Sequence, residues 1–370
     1  MRLLIIPDKF KGTLTASAAA KAIASGWRSV RPGDALDLFP MSDGGDGFGE
    51  VMSHLLGAKI RSAKTTDAAH RTCVAKWYWE PKQRTAVVES ANVIGLAMLP
   101  RGRFHPFELD TMGLGEVIQT LAKCQPRRCW LGIGGSATND GGFGMARALG
   151  WRFLDCEGND IKDWIGLDCL RQIIPPKRRK WFKEFLVAMD VKNPLLGAHG
   201  ATRVYGPQKG LRANDFQRAE ACLARLASVV SEEFRMDAGR IPGAGAAGGL
   251  GFGLKVFAQA ELVPGFELFA KQSRVAAHIE SADLVITGEG AIDRSTIMGK
   301  GVGEIARLSR KYQKPCIGLA GTAEPSRQIG SSFTRLLTLD AMTTLERAKA
   351  DAAKWLELLA KHAADELRLE

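Results

Sequence analysis

An apolar run, Trp130-Leu131 into Ile133, overlaps the glycine-dense stretch Gly132-Ile133-Gly134-Gly135-Ser136-Ala137-Thr138-Asn139-Asp140-Gly141-Gly142. Phe143 to Leu149 then reads as a short helix. A strand that enters a helix through a glycine loop is the arrangement that points free backbone N–H groups at an anion. Ser136, Thr138 and Asn139 add small donors for phosphate oxygens or a metal-bound water. The common phosphate motif GxxxxGK[ST] is absent. Gly299-Lys300 resembles its end, but Arg294 stands where the first glycine belongs and Gly301 replaces the hydroxyl residue. Gly243 to Gly248 matches GxGxxG, yet Pro242 precedes it where a dinucleotide turn needs a strand.

Hydrophobic patterning places this loop in a larger organisation. Arg2 to Ile6 reads as a buried strand, and Thr15 as the N-cap of a helix over residues 16–27. Residues 35–39 read as a second strand and 46–56 as helix. Strands alternating with helices imply a parallel sheet with binding loops at the strand C-termini. Asp8 and Asp43 lie in such loops. The middle has a different texture, with neighbouring strands at 73–79 and 85–89 and a long helix at 213–234. Strands recur at 282–287 and 316–319, with a helix at 303–312 between them. Residues 345–367 read as one amphipathic helix. This pattern predicts one domain made from residues 1–60 and 280–370, with residues 61–279 inserted as a second.

The 370 residues suffice for two domains. Seven scattered cysteines with no C-x-x-C pair read as reduced thiols in a cytoplasmic protein. The opening apolar run ends at Asp8, Lys9 and Lys11, so no leader is expected, and no stretch is apolar enough to span a bilayer. A net charge of +11 suits anionic substrates. The basic run Lys177-Arg178-Arg179-Lys180 reads as a solvated loop, since no aromatic-interleaved repeat marks a nucleic-acid site.

Phosphoryl transfer needs donors for the phosphates, carboxylates for Mg²⁺ and a group to take the hydroxyl proton. Lys11, Lys209 and Lys300 each adjoin glycine, where backbone can approach a ligand. Asp8, Asp43, Asp190, Glu289 and Asp293 follow apolar strands or lie in tight loops. Mg²⁺ takes only one or two carboxylates beside phosphate oxygens and water, so not all five are ligands. Asp46 and Asp140 fit helix caps better. Asp190 with Glu289 and Asp293 are the metal or catalytic candidates, and Asp43 is a base or substrate ligand.

Further loops share this texture: Asp8-Lys9-Phe10-Lys11-Gly12, Ser42-Asp43-Gly44-Gly45-Asp46-Gly47, Asp190 to Leu195, Gly206 to Gly210 and Thr287 to Asp293. Taken in order from Met1 to about Gly321, they resemble the type I glycerate kinase family. That resemblance implies a Rossmann- or flavodoxin-like parallel-sheet domain formed by both termini, with a second α/β domain inserted. It implies ATP, Mg²⁺ and D-glycerate, phosphorylated at the 2-hydroxyl to 2-phosphoglycerate. On this reading Asp190, Asp43, Lys11 and Lys209 are catalytic. Gly134, Gly135, Ser136, Thr138, Asn139 and Lys300 hold the nucleotide. Asp8, Lys11 and Asn193 hold the acceptor, and Asp190, Glu289 and Asp293 the metal. No nucleic-acid or membrane partner is expected, and a homodimer is compatible. The chain departs from the family at Ser295, where Gln is common, and at Thr111 to Glu116 and Phe104-His105-Pro106. The last two bear on acceptor choice. A kinase of another small hydroxy or sugar acid is the nearest rival; a non-catalytic anion or nucleic-acid binder is a rival of a different class.

Overall fold

The structure, a computed structural model, describes residues 1–297 and 301–367. In chain order its strands are β1 (Arg2–Ile5), β2 (Ala35–Leu38), β3 (Lys59–Thr66), β4 (Thr72–Glu80), β5 (Thr85–Glu89), β6 (Arg128–Gly132), β7 (Arg152–Leu154), β8 (Gln172–Ile174), β9 (Glu184–Met189), β10 (Glu261–Pro264), β11 (Leu284–Ile292), β12 (Cys316–Ala323) and β13 (Arg335–Thr338). The chain divides into two compact units, residues 1–43 with 266–370, and residues 44–265.

The first unit is built on a parallel sheet in the order β13-β12-β11-β1-β2. Renumbered within the unit, this is 2-1-3-4-5, the order of flavodoxin-like folds. Leu3, Leu4 and Ile5 form β1 because an apolar run buried on both faces suits a central parallel strand. Thr15 caps helix Ala16–Val30 by accepting the Ala18 N–H at 3.1 Å. That helix packs on helix Ala352–Glu366. Gly26 makes the approach feasible, because a Cβ there would lie 2.0 Å from the Glu357 carbonyl oxygen. Helices Val275–Ser281 and Gly301–Lys311 pack on one another and on β1, β11 and β12. Strand order reverses direction between β1 and β11, and a crevice opens at the carboxyl ends of strands at such a point.

The second unit has a six-stranded sheet, β10-β9-β6-β5-β4-β3. Four strands, β10, β9, β6 and β5, run parallel; β4 and β3 add an antiparallel edge. Strands β7 and β8 form a small separate hairpin. The core gathers Trp130's sheet neighbours Cys129 and Leu131 with Leu114, Ile118, Phe143, Phe153, Leu223 and Phe252.

Two features differ from the sequence reading, and a third, the discounted GxGxxG match, agrees with it. The divisions fall at 43/44 and 265/266 rather than near 60 and 280. Helix Phe48–Leu56 packs on β4 and β5, and so belongs with the middle of the chain, whereas helix Val275–Ser281 packs on β1. The expected terminal helix is two, Leu345–Ala350 and Ala352–Glu366, broken at Asp351 (φ −140°, ψ 59°). The break lets Leu356 and Leu359 be buried while Leu345 stays outside. Finally, the GxGxxG match is no dinucleotide turn. Ala247, Gly248 and Gly249 are successive left-handed residues at φ 55°, 73° and 85°.

Candidate active site

In the first unit, β1 and β11 deliver their carboxylates to the reversal point. Asp8 follows β1, and its backbone N–H donates to the Gly288 carbonyl of β11 at 2.8 Å. Its side chain is 6% exposed and accepts the Lys9 N–H at 2.7 Å. Burial, then the charge of Asp43 and, more weakly, Glu289, push the Asp8 carboxyl up to about 8, against the opposing pull of Lys9. Lys9 reaches Asp43 at 3.5 Å. The Thr296 hydroxyl donates to Glu289 at 2.8 Å. Asp8, Asp43, Lys9 and Glu289 therefore form one electrostatic group.

Asp293 does something plainer. One of its oxygens accepts the Ser295 N–H at 2.7 Å, the Ser295 hydroxyl at 2.5 Å and the Thr296 N–H at 3.2 Å, at the start of helix Arg294–Ile297. This is helix capping. Lys11 is exposed, and its backbone N lies 3.2 Å from where a Cβ on Gly290 would sit. Lys300 lies outside the described residues.

In the second unit, the glycine loop leaves β6 and turns into helix Phe143–Ala148, with Gly135, Gly141 and Gly142 at positive φ. The loop's polar side chains face inward. Ser136 donates to the Ala247 carbonyl at 3.0 Å, and Asn139 to the Thr202 hydroxyl at 3.2 Å. Ser136, Thr138 and Asn139 are buried, so they brace the loop instead of presenting their side chains outward. Gly134 and Gly135 are its more open residues, and among the described residues their backbone N–H groups meet no acceptor. Asp140 is fully buried and caps the following helix. It accepts from Thr111 N–H (3.0 Å) and hydroxyl (2.7 Å), Gly144 N–H (2.9 Å) and Gly142 N–H (3.2 Å). Burial and Asp110 still raise its carboxyl to about 6.

Lys209 is the other buried ion here, 6% exposed. Its ammonium donates to the Thr138 carbonyl at 2.6 Å and the Ser136 hydroxyl at 3.3 Å. Burial pulls it down to about 7, with Asp140 opposing. Asp190 follows β9 and is exposed. It helps raise the nearby Tyr205 phenol to about 12, after burial. Tyr205 donates to Asn193 at 2.7 Å, and Asn193 donates to the His199 carbonyl at 2.8 Å.

Sequence reasoning named Asp8, Asp43 and Glu289, which the fold gathers. It named Asp190 and Asn193, which share Tyr205. The metal trio does not lie in one unit: Asp190 is in the second, Glu289 and Asp293 in the first. Among the described residues no three His, Cys, Asp or Glu side chains form a metal-holding group. Lys9, Tyr205 and Thr202, which contact these candidates, were not singled out in the sequence. Lys9 stood inside a quoted motif, and its position beside Asp8 was the one available signal. Glu89 was missed too; it accepts the Gly47 N–H at 2.7 Å and the Gly49 N–H at 3.1 Å.

A switch point lined by acids, and a backbone-donor loop entering a helix, suit a phosphotransferase that acts on small molecules. The model of the glycerate kinase family matches residues 3–368. The chain belongs to that family and is a phosphotransferase with an alcohol group as acceptor. It is 38% identical to the glycerate 2-kinase of Escherichia coli K12, over 87% of this chain and 85% of the relative. It is 37% identical to a glycerate kinase of Halalkalibacterium halodurans, over 86% and 85%. With a glycerate kinase of Bacillus subtilis the identity is 35%, over 100% and 98%. The crystal structure of a candidate glycerate kinase 2 from Salmonella typhimurium LT2 superposes with a TM-score of 0.83 at 35% identity, covering 100% of this chain and 98% of that one. Among the described residues no helix is long and apolar enough to cross a membrane.

Proposed function

We propose that the protein transfers the γ-phosphoryl group of ATP to the 2-hydroxyl of D-glycerate, giving 2-phosphoglycerate and ADP. The observation that carries this reading is the group of Asp8, Asp43, Lys9 and Glu289 at the reversal point of a nucleotide-type sheet. The likeness to the E. coli glycerate 2-kinase supports both the acceptor and the position. Asp8 keeps its proton at neutral pH and donates a hydrogen bond to the glycerate carboxylate, with Lys11 and Asn193 as further anchors. Asp43 or Asp190 takes the hydroxyl proton. The new oxygen–phosphorus bond forms as the bond to the bridging β,γ-oxygen breaks, and ADP leaves with that electron pair. The backbone of Gly134 and Gly135 receives phosphate oxygens, on a loop that Ser136, Thr138, Asn139 and Lys209 hold in shape. Lys300, between two glycines, adds a cation.

The hard oxygen donors Asp190, Glu289 and Asp293 suit Mg²⁺, which needs only one or two protein carboxylates when phosphates supply the rest. Bound Mg²⁺ supplies charge neutralisation on the transferring phosphate. Asp293 also accepts the Ser295 and Thr296 N–H groups, and Glu289 the Thr296 hydroxyl. The enzyme acts in the cytoplasm, where its seven free thiols stay reduced. It works on a small molecule and not on nucleic acid, and a homodimer is compatible with this reading.

The test is ADP release from Mg²⁺-ATP with D-glycerate, followed by NMR of the product. Phosphate on carbon 2 supports the reading. No ADP above background refutes it, and a 3-phospho product refutes the position.

A further inference from the structure

A cavity of about 510 Å³ in the second unit takes no part in the proposed reaction. Its apolar wall is Trp151, Phe234, Met236 and Val256, and Arg179 and Lys255 stand at it as cations. Small-molecule sites span about 300–1,000 Å³ and pair an apolar lining with few polar groups, so its size and chemistry suit a ligand. The wall is fixed before any ligand arrives. The Trp151 indole N–H donates to the Phe257 carbonyl at 3.0 Å. Its ring meets Phe234 edge-on, with centroids 5.7 Å apart, and Phe257 at 5.1 Å. Met236 is 36% exposed, a large apolar side chain left at the surface of the pocket.

The two cations decide what such a ligand must be. Among the described residues neither Arg179 nor Lys255 meets a carboxylate. Lys255 lies in the last turn of helix Ala246–Phe257, where the helix dipole alone favours a positive charge. Arg179 has no such reason. It sits on the exposed loop before Trp181, and its guanidinium lies 5.6 Å from the Trp151 ring centre. Two cations from separate elements, neither paired with a carboxylate among the described residues, converge on one aromatic wall, a pattern complementary to an anion with an apolar body.

We infer that this cavity binds a small amphiphilic anion, an aromatic or branched apolar body carrying one carboxylate, sulfonate or phosphate. The site is separate from the residues assigned to phosphotransfer, so its failure would leave the kinase reading untouched. The probe is the aromatic sulfonate 8-anilinonaphthalene-1-sulfonate, titrated into the full chain by fluorescence beside its neutral analogue N-phenyl-1-naphthylamine. The expected result is a single sulfonate site weakened about tenfold, roughly one lost charge contact, in Lys255→Glu and again in Arg179→Glu. The neutral analogue should bind both variants as it binds the parent, while Met236→Asp should weaken both probes. Turnover of ATP and D-glycerate should hold in the two charge variants. Arg179→Glu lies on an exposed loop and keeps the test decisive if Lys255→Glu fails to fold. Unchanged sulfonate affinity in the charge variants would overturn the inference, as would displacement of the probe by Mg²⁺-ATP with D-glycerate.

Discussion

At Asp8, burial and the neighbouring carboxylates of Asp43 and Glu289 outweigh the Lys9 ammonium and its backbone N–H, so the side chain keeps its proton up to about 8. The unfolded chain releases the same proton near 3.8. The folded state therefore binds the proton more tightly, and stability falls as pH rises from 3.8 to about 8. Asp8→Asn removes the titrating group but keeps its shape. Thermal melts should show the variant more stable than the parent at pH 8, with the gain shrinking towards pH 5. Each kcal/mol should appear as about 2–4 °C. Activity should fall in the same variant, because the stored cost serves the acceptor site. An equal melting temperature at both pH values would show that Asp8 is not held protonated. Asp190 is exposed, where it can meet a substrate. Asp190→Asn should lower kcat and kcat/KM together, by about 10²-fold or more if it is the proton acceptor. A folded variant with parental kcat would remove Asp190 from the chemistry. Asp8, Asp43 and Glu289 were legible in the sequence because each follows an apolar strand. Lys9 was not, since no one-dimensional pattern distinguishes a lysine paired with Asp43 from a solvated one.

The turn that opens helix Ala246–Phe257 is held in a strained conformation. Ala247 holds φ 55° and ψ 36°, a left-handed conformation that costs a non-glycine residue about 1–2 kcal/mol. Two contacts repay it: the Ala247 carbonyl accepts from Ser136, and the Gly248 carbonyl accepts the Gly141 N–H at 3.1 Å. The turn thus clamps the glycine loop from behind. Ala247→Gly should relieve the strain and raise stability by up to about 1 kcal/mol. Gly248→Ala should do the reverse, because its Cβ would fall 2.0 Å from the Thr138 carbonyl oxygen and 2.8 Å from the Lys209 amine. Urea unfolding of the two variants should move in opposite directions. Lys209 bears on the same loop through Thr138 and Ser136. Lys209→Met should therefore raise KM for ATP more than KM for D-glycerate, and Lys209→Arg should not rescue it, since the buried amine lies 2.8 Å from where a Cβ on Gly248 would sit and leaves little room for a larger guanidinium. Equal effects on both substrates would mean that Lys209 acts beyond the loop. The glycine loop itself was legible from composition and its flanks; this clamp was not. Residues 201–209 form a helix despite Gly206-Pro207, which argue against one locally. Strand β3, Lys-Ile-Arg-Ser-Ala-Lys-Thr-Thr, was missed because an edge strand open to solvent lacks the apolar alternation that reveals a half-buried one.

On the scale of the whole molecule, each unit carries its own core. Residues 44–265 are one uninterrupted segment with a continuous core, whereas the other unit must close its sheet from both ends of the chain. The sequence made this nested plan visible through the alternation of strands and helices at both ends. It misplaced the joints because helix Phe48–Leu56 and β3 pack by tertiary contact, which periodicity does not record. The excised segment 44–265 has sheet edges it can expose: β3 carries Lys59, Arg61 and Lys64, charges that oppose edge-to-edge pairing. Expressed alone, it should fold with a cooperative melt and native near-ultraviolet circular dichroism from its buried tryptophans, Trp77, Trp130, Trp151 and Trp164. It should retain the anilinonaphthalene-sulfonate site, whose lining lies wholly within it. It should not release ADP from ATP and D-glycerate, because Asp8, Asp43 and Glu289 belong to the missing unit. A segment that melts without cooperativity would show that its core depends on the rest of the chain. A folded segment that turns over at the parental rate would place the whole reaction on the glycine loop, Lys209 and Asp190, and leave the acids of the parallel sheet without a catalytic part.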